Sequence, residues 1–142
     1  MSLKLNEFVR FVDEYASDQL YKDYLVGANL AVQLRTYGLG GLSGALLDCA
    51  SAGLPTVVNA SLGEAVGVPR TYVRTIPDAL SPFLLAEELA NLLELNISAE
   101  NTGDERYEFS RSRSLSVYAA KLCDALNLKS QPIAHRLVFN GA

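Results

Sequence analysis

Apolar positions change period along this chain, and each change marks an element. Residues 8–12, FVRFV, alternate weakly and predict a strand. Ser17 stands at a helix N-cap position with Asp18 in the first turn. Leu20, Tyr21, Tyr24 and Leu25 then form one apolar stripe, which Gly27 ends. Residues 29–34, NLAVQL, are apolar on both faces at their centre, as buried parallel strands are. A glycine-rich loop leads to Ser43, a second N-cap, and a short helix over Gly44 to Ala52. Gly53 stops that helix, and Pro55 lies where it cannot continue. The β-branched run Thr56 to Val58 predicts a third strand, residues 60–70 a loop containing Glu64 and Pro69, and residues 71–76, TYVRTI, a fourth strand. Ser81-Pro82 is an N-cap followed by proline at the first helical position, opening a helix to about Leu95. After a polar break over 96–105, a helical region runs from about Asp104 to Asn127. It is interrupted near Ser114 to Ser116, with Ser116 able to cap its second part. Val117, Tyr118, Leu122, Ala125 and Leu126 form the apolar face there. LVFN at 137–140 reads as a short strand or a docked tail, in a stretch, 128–142, of uncertain structure. Alternating strands and helices imply a parallel sheet with right-handed crossovers.

Composition narrows the classes. The chain has 142 residues, enough for one domain with a real core; 49% of them are apolar and 20% charged. The net charge of −4 argues against a nucleic-acid partner, because binding backbone phosphates takes a basic face. Arg106, Arg111 and Arg113 lie in a mixed-charge segment and read as a solvated helix face. Two cysteines, Cys49 and Cys123, and one histidine, His135, give no metal-ligand spacing and no disulfide framework. Both cysteines read as buried thiols. With no long apolar run and no signal peptide, the expected location is cytoplasmic, where the sequon Asn96-Ile97-Ser98 has no meaning.

The chemistry concentrates in the glycine loop and the helix after it, residues 37–59, YGLGGLSGALLDCASAGLPTVVN. The free N–H groups of that helix start, near Leu42 to Ala45, suit a diphosphate. Gly40 and Gly41 let the backbone approach a ligand closely, because no Cβ intrudes. Asp48 lies about 7 Å along the axis from the cap, the distance at which a ribose joined to that diphosphate would sit. The plain alternative is that Gly38, Gly40, Gly41 and Gly44 only permit a tight turn and close packing, with Asp48 a solvated residue. Against it, every neighbour of Asp48 in ALLDCASA is apolar or small, so a charge there calls for a partner or a ligand.

Ser43, Leu47, Asp48, Ala50, Gly53, Leu54, Pro55, Thr56, Val58 and Asn59 fall on a pattern found in the C-terminal domain of retaining GT-B glycosyltransferases of the bacterial group 1 class. That segment reads approximately G-E-x-x-G-x-x-x-x-E-A-x-A-x-G-x-P-V-V, and in some bacterial members G-E-T-S-x-x-x-L-D-x-x-A-x-G-L-P-T-x-V-N, the variant these residues follow. Upstream, residues 9–35 are similar to the family's strand, Ser-Asp-capped helix and next strand. Downstream, Glu64, YVRTIPD at 72–78, the helix 82–95 and a closing helix with Ser116 and Tyr118 follow in the family's order. The resemblance covers roughly residues 8–127.

The resemblance implies a partial doubly wound, Rossmann-like parallel sheet flanked by helices, forming the donor site for a nucleotide-activated sugar. Asp48 would hold the ribose, the amides of Gly41, Leu42 and Ser43 the diphosphate, and the loop Asp13 to Ser17, with Tyr15 and Ala16, the base. Arg35 is the one cation well placed for the phosphates. Tyr72, Tyr107, Tyr21 and Tyr24 read as core or interface residues rather than sugar platforms. No metal and no further cofactor is implied; the nucleoside-diphosphate sugar is the donor substrate. The parent enzyme would serve polysaccharide biosynthesis from the cytoplasm, free or peripheral to the inner membrane, passing sugar to a glycan or lipid-linked acceptor. An absent N-terminal domain would bind that acceptor, so this chain alone is expected to be inactive. Two departures favour rival readings. Gly40 or Gly41 stands where the family has an acid that meets the transferred sugar, which leaves the catalytic residues unassigned. The domain's first two strands and their basic residues are also missing. The rivals are a non-catalytic nucleotide-binding or assembly module and a GT-B nucleotide-sugar epimerase. Without a neighbour, strand 29–34 would be a bare edge. Strand 8–12, the 137–140 tail or a second copy of the chain in a homodimer is expected to close it.

Overall fold

The computed structural model describes residues 5, 7–35, 43–95, 97 and 102–127. Among them are three strands, β1 (Ala31–Gln33), β2 (Thr56–Asn59) and β3 (Val73–Ile76), and six helices. The helices are α1 (Asp18–Gly27), α2 (Gly44–Ala52), α3 (Ala60–Val66), α4 (Pro82–Glu94), α5 (Gly103–Ser112) and α6 (Leu115–Ala125). The sheet is parallel throughout, in the order β1-β2-β3, with Ala31 opposite Thr56 and Thr56 opposite Val73. The chain is an α/β protein, and this arrangement is compatible with a Rossmann-like fold.

Helices cover both faces of β2, whose four residues are all buried. On one face Val58 packs with Leu46 and Ala50 of α2, Leu62 and Val66 of α3, and Phe109 of α5. On the other, Val57 packs with Ile76 and with Leu85, Leu89 and Leu92 of α4. Alternation along the strand divides these residues between two layers. Burying each of Leu46, Val57 and Val58 completely contributes about 1.5–3 kcal/mol.

Local signals place the ends of most helices. Ser17 Oγ accepts from Leu20 N–H at 3.3 Å, Ser43 Oγ from Leu46 N–H at 3.3 Å, and Ser81 Oγ from Leu84 N–H at 3.4 Å. Gly53 and Gly67 close α2 and α3 with φ of 73° and 63°, a left-handed conformation that suits glycine.

Four expectations are corrected. Residues 60–66 are helix α3, not loop. Asn59 occupies the N-cap position without capping through its side chain. Asp78 Oδ1 does the capping from across the sheet edge, accepting from Ser61 N–H at 3.1 Å and Ser61 O–H at 2.8 Å. Residues 8–12 are not a strand. Leu5, Phe8, Val9 and Val12 recur at a helical spacing, and the Leu5 carbonyl accepts from the N–H groups of Phe8 and Val9 at 2.8 and 2.9 Å. Phe8 and Phe11 are 82% and 89% exposed, and 8–12 supplies no neighbour to β1, which pairs with β2 alone among the described residues. The tail 137–140 lies outside those residues.

The third correction is the cap of α6, which is Ser114 rather than Ser116. Ser114 Oγ takes the Val117 N–H at 3.4 Å, and Tyr118 and Leu122 on the expected apolar face are exposed. The fourth concerns the arginines of α5 and its end. Arg106 donates to the carbonyl of Ala52 at 3.4 Å, and Arg113 donates to those of Val66 and Gly67 while stacking on Phe109. Two cations therefore close the C-termini of α2 and α3, where the helix dipole favours positive charge. Glu105 adds a tie by accepting from the N–H groups of Arg70 and Thr71. These bonds fasten the amino end of the sheet.

Candidate functional site

In open parallel sheets ligands bind outside the carboxyl ends of the strands. Here that edge comprises Arg35 after β1, Asn59 at the end of β2 and Asp78 after β3. Asn59 spans it: its Oδ1 accepts from Arg35 N–H at 3.0 Å, and its Nδ2 donates to Asp78 Oδ1 at 2.8 Å. Bonds from the Asn59 side chain and from the Ser61 hydroxyl and N–H hold the Asp78 carboxyl below its usual range. The start of α3 therefore already holds a carboxylate of the chain's own. An exogenous anion is better served at the start of α2.

Helix α2 reaches this edge by its length. It leaves the amino end of β2 at Gly53, and nine residues carry it back about 13 Å, the span of the four residues of β2. Ser43 is buried at its start, and Gly44 and Ala45 occupy the first turn, whose N–H groups lack intrahelical acceptors. Gly40, Gly41 and Leu42 lie outside the described residues. Arg35 stands at the end of β1 with its backbone N–H engaged as above.

Asp48 is exposed on α2, so its apolar sequence neighbours turn inward and do not desolvate it. Its partner is Tyr21 of α1, whose hydroxyl donates to Oδ2 at 3.0 Å. Burial, and then the bond to this carboxylate, push the Tyr21 phenol up to about 12. Expected in the core or at an interface, Tyr21 is 37% exposed and bridges α1 to α2. No sequence signal joins residues on two different helices, 27 positions apart. Next to the pair, Glu14, Tyr15, Ala16, Asp18 and Tyr21 line an open depression of about 500 Å³. The Tyr15 ring is 93% exposed above it. Tyr21 thus lines the depression with Tyr15 and Ala16 and bonds Asp48, which is not itself among the lining residues. Glu14 and Asp18 make this end acidic. It suits a neutral, hydroxyl-bearing group better than a phosphate.

Cys49, beside Asp48 but turned into the core, has its thiol pushed up by burial, the state of an inert packing residue. A larger depression of about 660 Å³ lies along α3, β3 and α4, with Arg70, Arg74, Glu64 and Glu88 on its walls. Its lining includes Ala60, next to the last residue of β2, but the helix start on that side is already held by Asp78, and the site at α2 is preferred on that ground. Among the described residues no group of three acidic, histidine or cysteine side chains converges as metal ligands would, and no helix is long and apolar enough to cross a membrane. No family model, curated protein or solved structure matches this chain.

Proposed function

We propose that this chain is the donor-binding part of a retaining GT-B glycosyltransferase, holding a nucleoside-diphosphate sugar for transfer to a glycan or lipid-linked acceptor. The observation that supports the reading is Tyr21, which lines the depression with Tyr15 and Ala16 and donates to Asp48. The loop assigned to the base and the acid assigned to the ribose are distant in sequence and are connected through this one side chain. From Asp48 the capped start of α2 is about 7 Å along the helix axis, a reach suited to a diphosphate.

Charge gives the ligand a direction. The nucleoside end lies against Glu14, Asp18 and Asp48, which repel phosphate. The phosphate end points toward Ser43, Gly44 and the Arg35 side of the sheet, where the helix dipole favours anions. Asp78 occupies the neighbouring helix start and closes that alternative. A non-catalytic nucleotide-binding module is the second reading, favoured by glycine at 40 and 41, where the family places an acid. Both readings predict nucleotide binding; sugar transfer by a parent enzyme separates them. The experiment is a titration with UDP and with GDP followed by amide NMR. Shifts should centre on Tyr15 to Tyr21 and Ser43 to Asp48. Shifts confined to the β3–α4 side, or none at millimolar nucleotide, would refute the donor site.

A further inference from the structure

Resting on that donor-site reading, we propose that Tyr21 is a positioning residue: its hydroxyl orients the Asp48 carboxylate so that the site selects ribonucleotides over 2′-deoxyribonucleotides. An exposed aspartate on a helix samples several rotamers, and a ligand must freeze one of them at an entropic cost. Asp48 is held in advance. Tyr21 Oη donates to Oδ2 at 3.0 Å, and Oδ1 has no hydrogen-bond partner among the described residues. An ionised carboxylate only accepts, so Oδ1 is open to donors, and a ribose hydroxyl is a donor of the right kind.

Tyr21 is itself well anchored. Its backbone N–H donates to the Ser17 carbonyl at 2.9 Å, one turn back, and Ser17 caps α1 at the end of the loop that lines the depression. The hydroxyl therefore connects the loop assigned to the base with the acid assigned to the sugar. As a mere tie between α1 and α2 the bond would do little. It lies at an exposed seam, and α1 has no fully buried residue for it to secure. Its effect falls on the direction of the carboxylate. The surrounding acids, Glu14 and Asp18, lie on the depression wall and add no donor that could replace the phenol.

The test compares UDP with 2′-deoxy-UDP, and GDP with 2′-deoxy-GDP, by calorimetry on the wild-type chain, Tyr21→Phe and Asp48→Asn. The wild type should prefer the ribonucleotide. Tyr21→Phe keeps the ring and should lower that preference about threefold to tenfold, with the larger loss of affinity falling on the ribonucleotide. Asp48→Asn should abolish the preference. Full preference retained in Tyr21→Phe but lost in Asp48→Asn would overturn the role of Tyr21 and leave the donor site standing. An equal loss of affinity for ribo- and deoxynucleotides in Tyr21→Phe would show a structural role and overturn it too. No wild-type binding of any of the four would overturn the donor site, and this proposal with it. In the free protein, Asp48→Asn should also lower the alkaline titration midpoint of Tyr21, followed by tyrosinate absorbance; an unmoved midpoint would deny the pair in solution.

Discussion

Gly63→Ala sets helix propensity against packing, and the structure decides between them. In an unconstrained helix the change would favour α3 by about 1 kcal/mol. Here a Cβ at position 63 would lie 2.8 Å from Thr75 Cγ2 and 3.2 Å from Val58 Cγ1. Comfortable carbon contacts begin near ~3.5 Å, so the methyl intrudes by several tenths of an ångström on two neighbours. Val58 belongs to the fully buried central strand and cannot retreat, and both neighbours are β-branched, with restricted χ1. Overpacking of this kind costs about 1–3 kcal/mol, which outweighs the propensity gain. We expect a net loss of about 1 kcal/mol, read as a lower urea midpoint by circular dichroism with an unchanged slope. Thr75→Ser removes the closer methyl. Gly63→Ala in that background should be nearly neutral, giving a coupling of about 1 kcal/mol in a double-mutant cycle. A raised midpoint for Gly63→Ala alone would mean that α3 sits further from the sheet than described here.

Three further outcomes follow from the same structure. Asp78 has its folded-state carboxyl held low by Asn59 and Ser61, so its contribution is present above the ordinary aspartate range and lost as pH falls through the lowered folded value. Asp78→Asn should flatten the acid limb of a stability–pH curve and leave the alkaline limb unchanged. Tyr72 is buried, donates to the Ala50 carbonyl at 2.6 Å and is pushed up from 10.0 to about 12, chiefly by burial. Its contribution is complete below 10.0 and disappears as pH rises toward 12, so Tyr72→Phe should cost about 1 kcal/mol near neutrality and flatten the alkaline limb in urea titrations. Light scattering at high micromolar concentration should find a two-fold dimer that pairs β1, the strand with one neighbour among the described residues; a strict monomer would remove that expectation.

What could be read in the sequence was written locally. Ser17, Ser43 and Ser81 each sit three residues before the N–H they cap, and Gly53 lies where α2 must end, so those boundaries were accessible from spacing alone. Helix α3 was not, because its capping acid, Asp78, comes from beyond the next strand, and Gly63 and Glu64 in its middle read as loop residues. Ser114 and Ser116 are chemically alike, and only the position of the Val117 N–H chooses between them. Arg111 is solvated as expected, whereas Arg106 and Arg113 close carbonyls on Ala52, Val66 and Gly67, which lie at the ends of other helices and gave no local sign. At the site the same division holds. Asp48 and the loop 13–17 were singled out as candidates from spacing and resemblance. The bond from Tyr21 to Asp48 was not legible, since an aromatic on an apolar stripe gives no sign that its hydroxyl reaches another helix.

The remote cap of α3 also bears on the order in which the chain can be made and folded. The helix is seven residues long, too short to hold itself together in water. Its cap arrives seventeen residues after Ser61, which at ordinary synthesis rates is a delay of roughly 1–3 s. During that interval nascent α3 has no anion at its start and no β3 to lie against. The segment from β2 to Asp78 must therefore close in one cooperative event, helix, strand and cap together. A growing chain halted before residue 78 should leave α3 unformed, though every residue of the helix has already been synthesised.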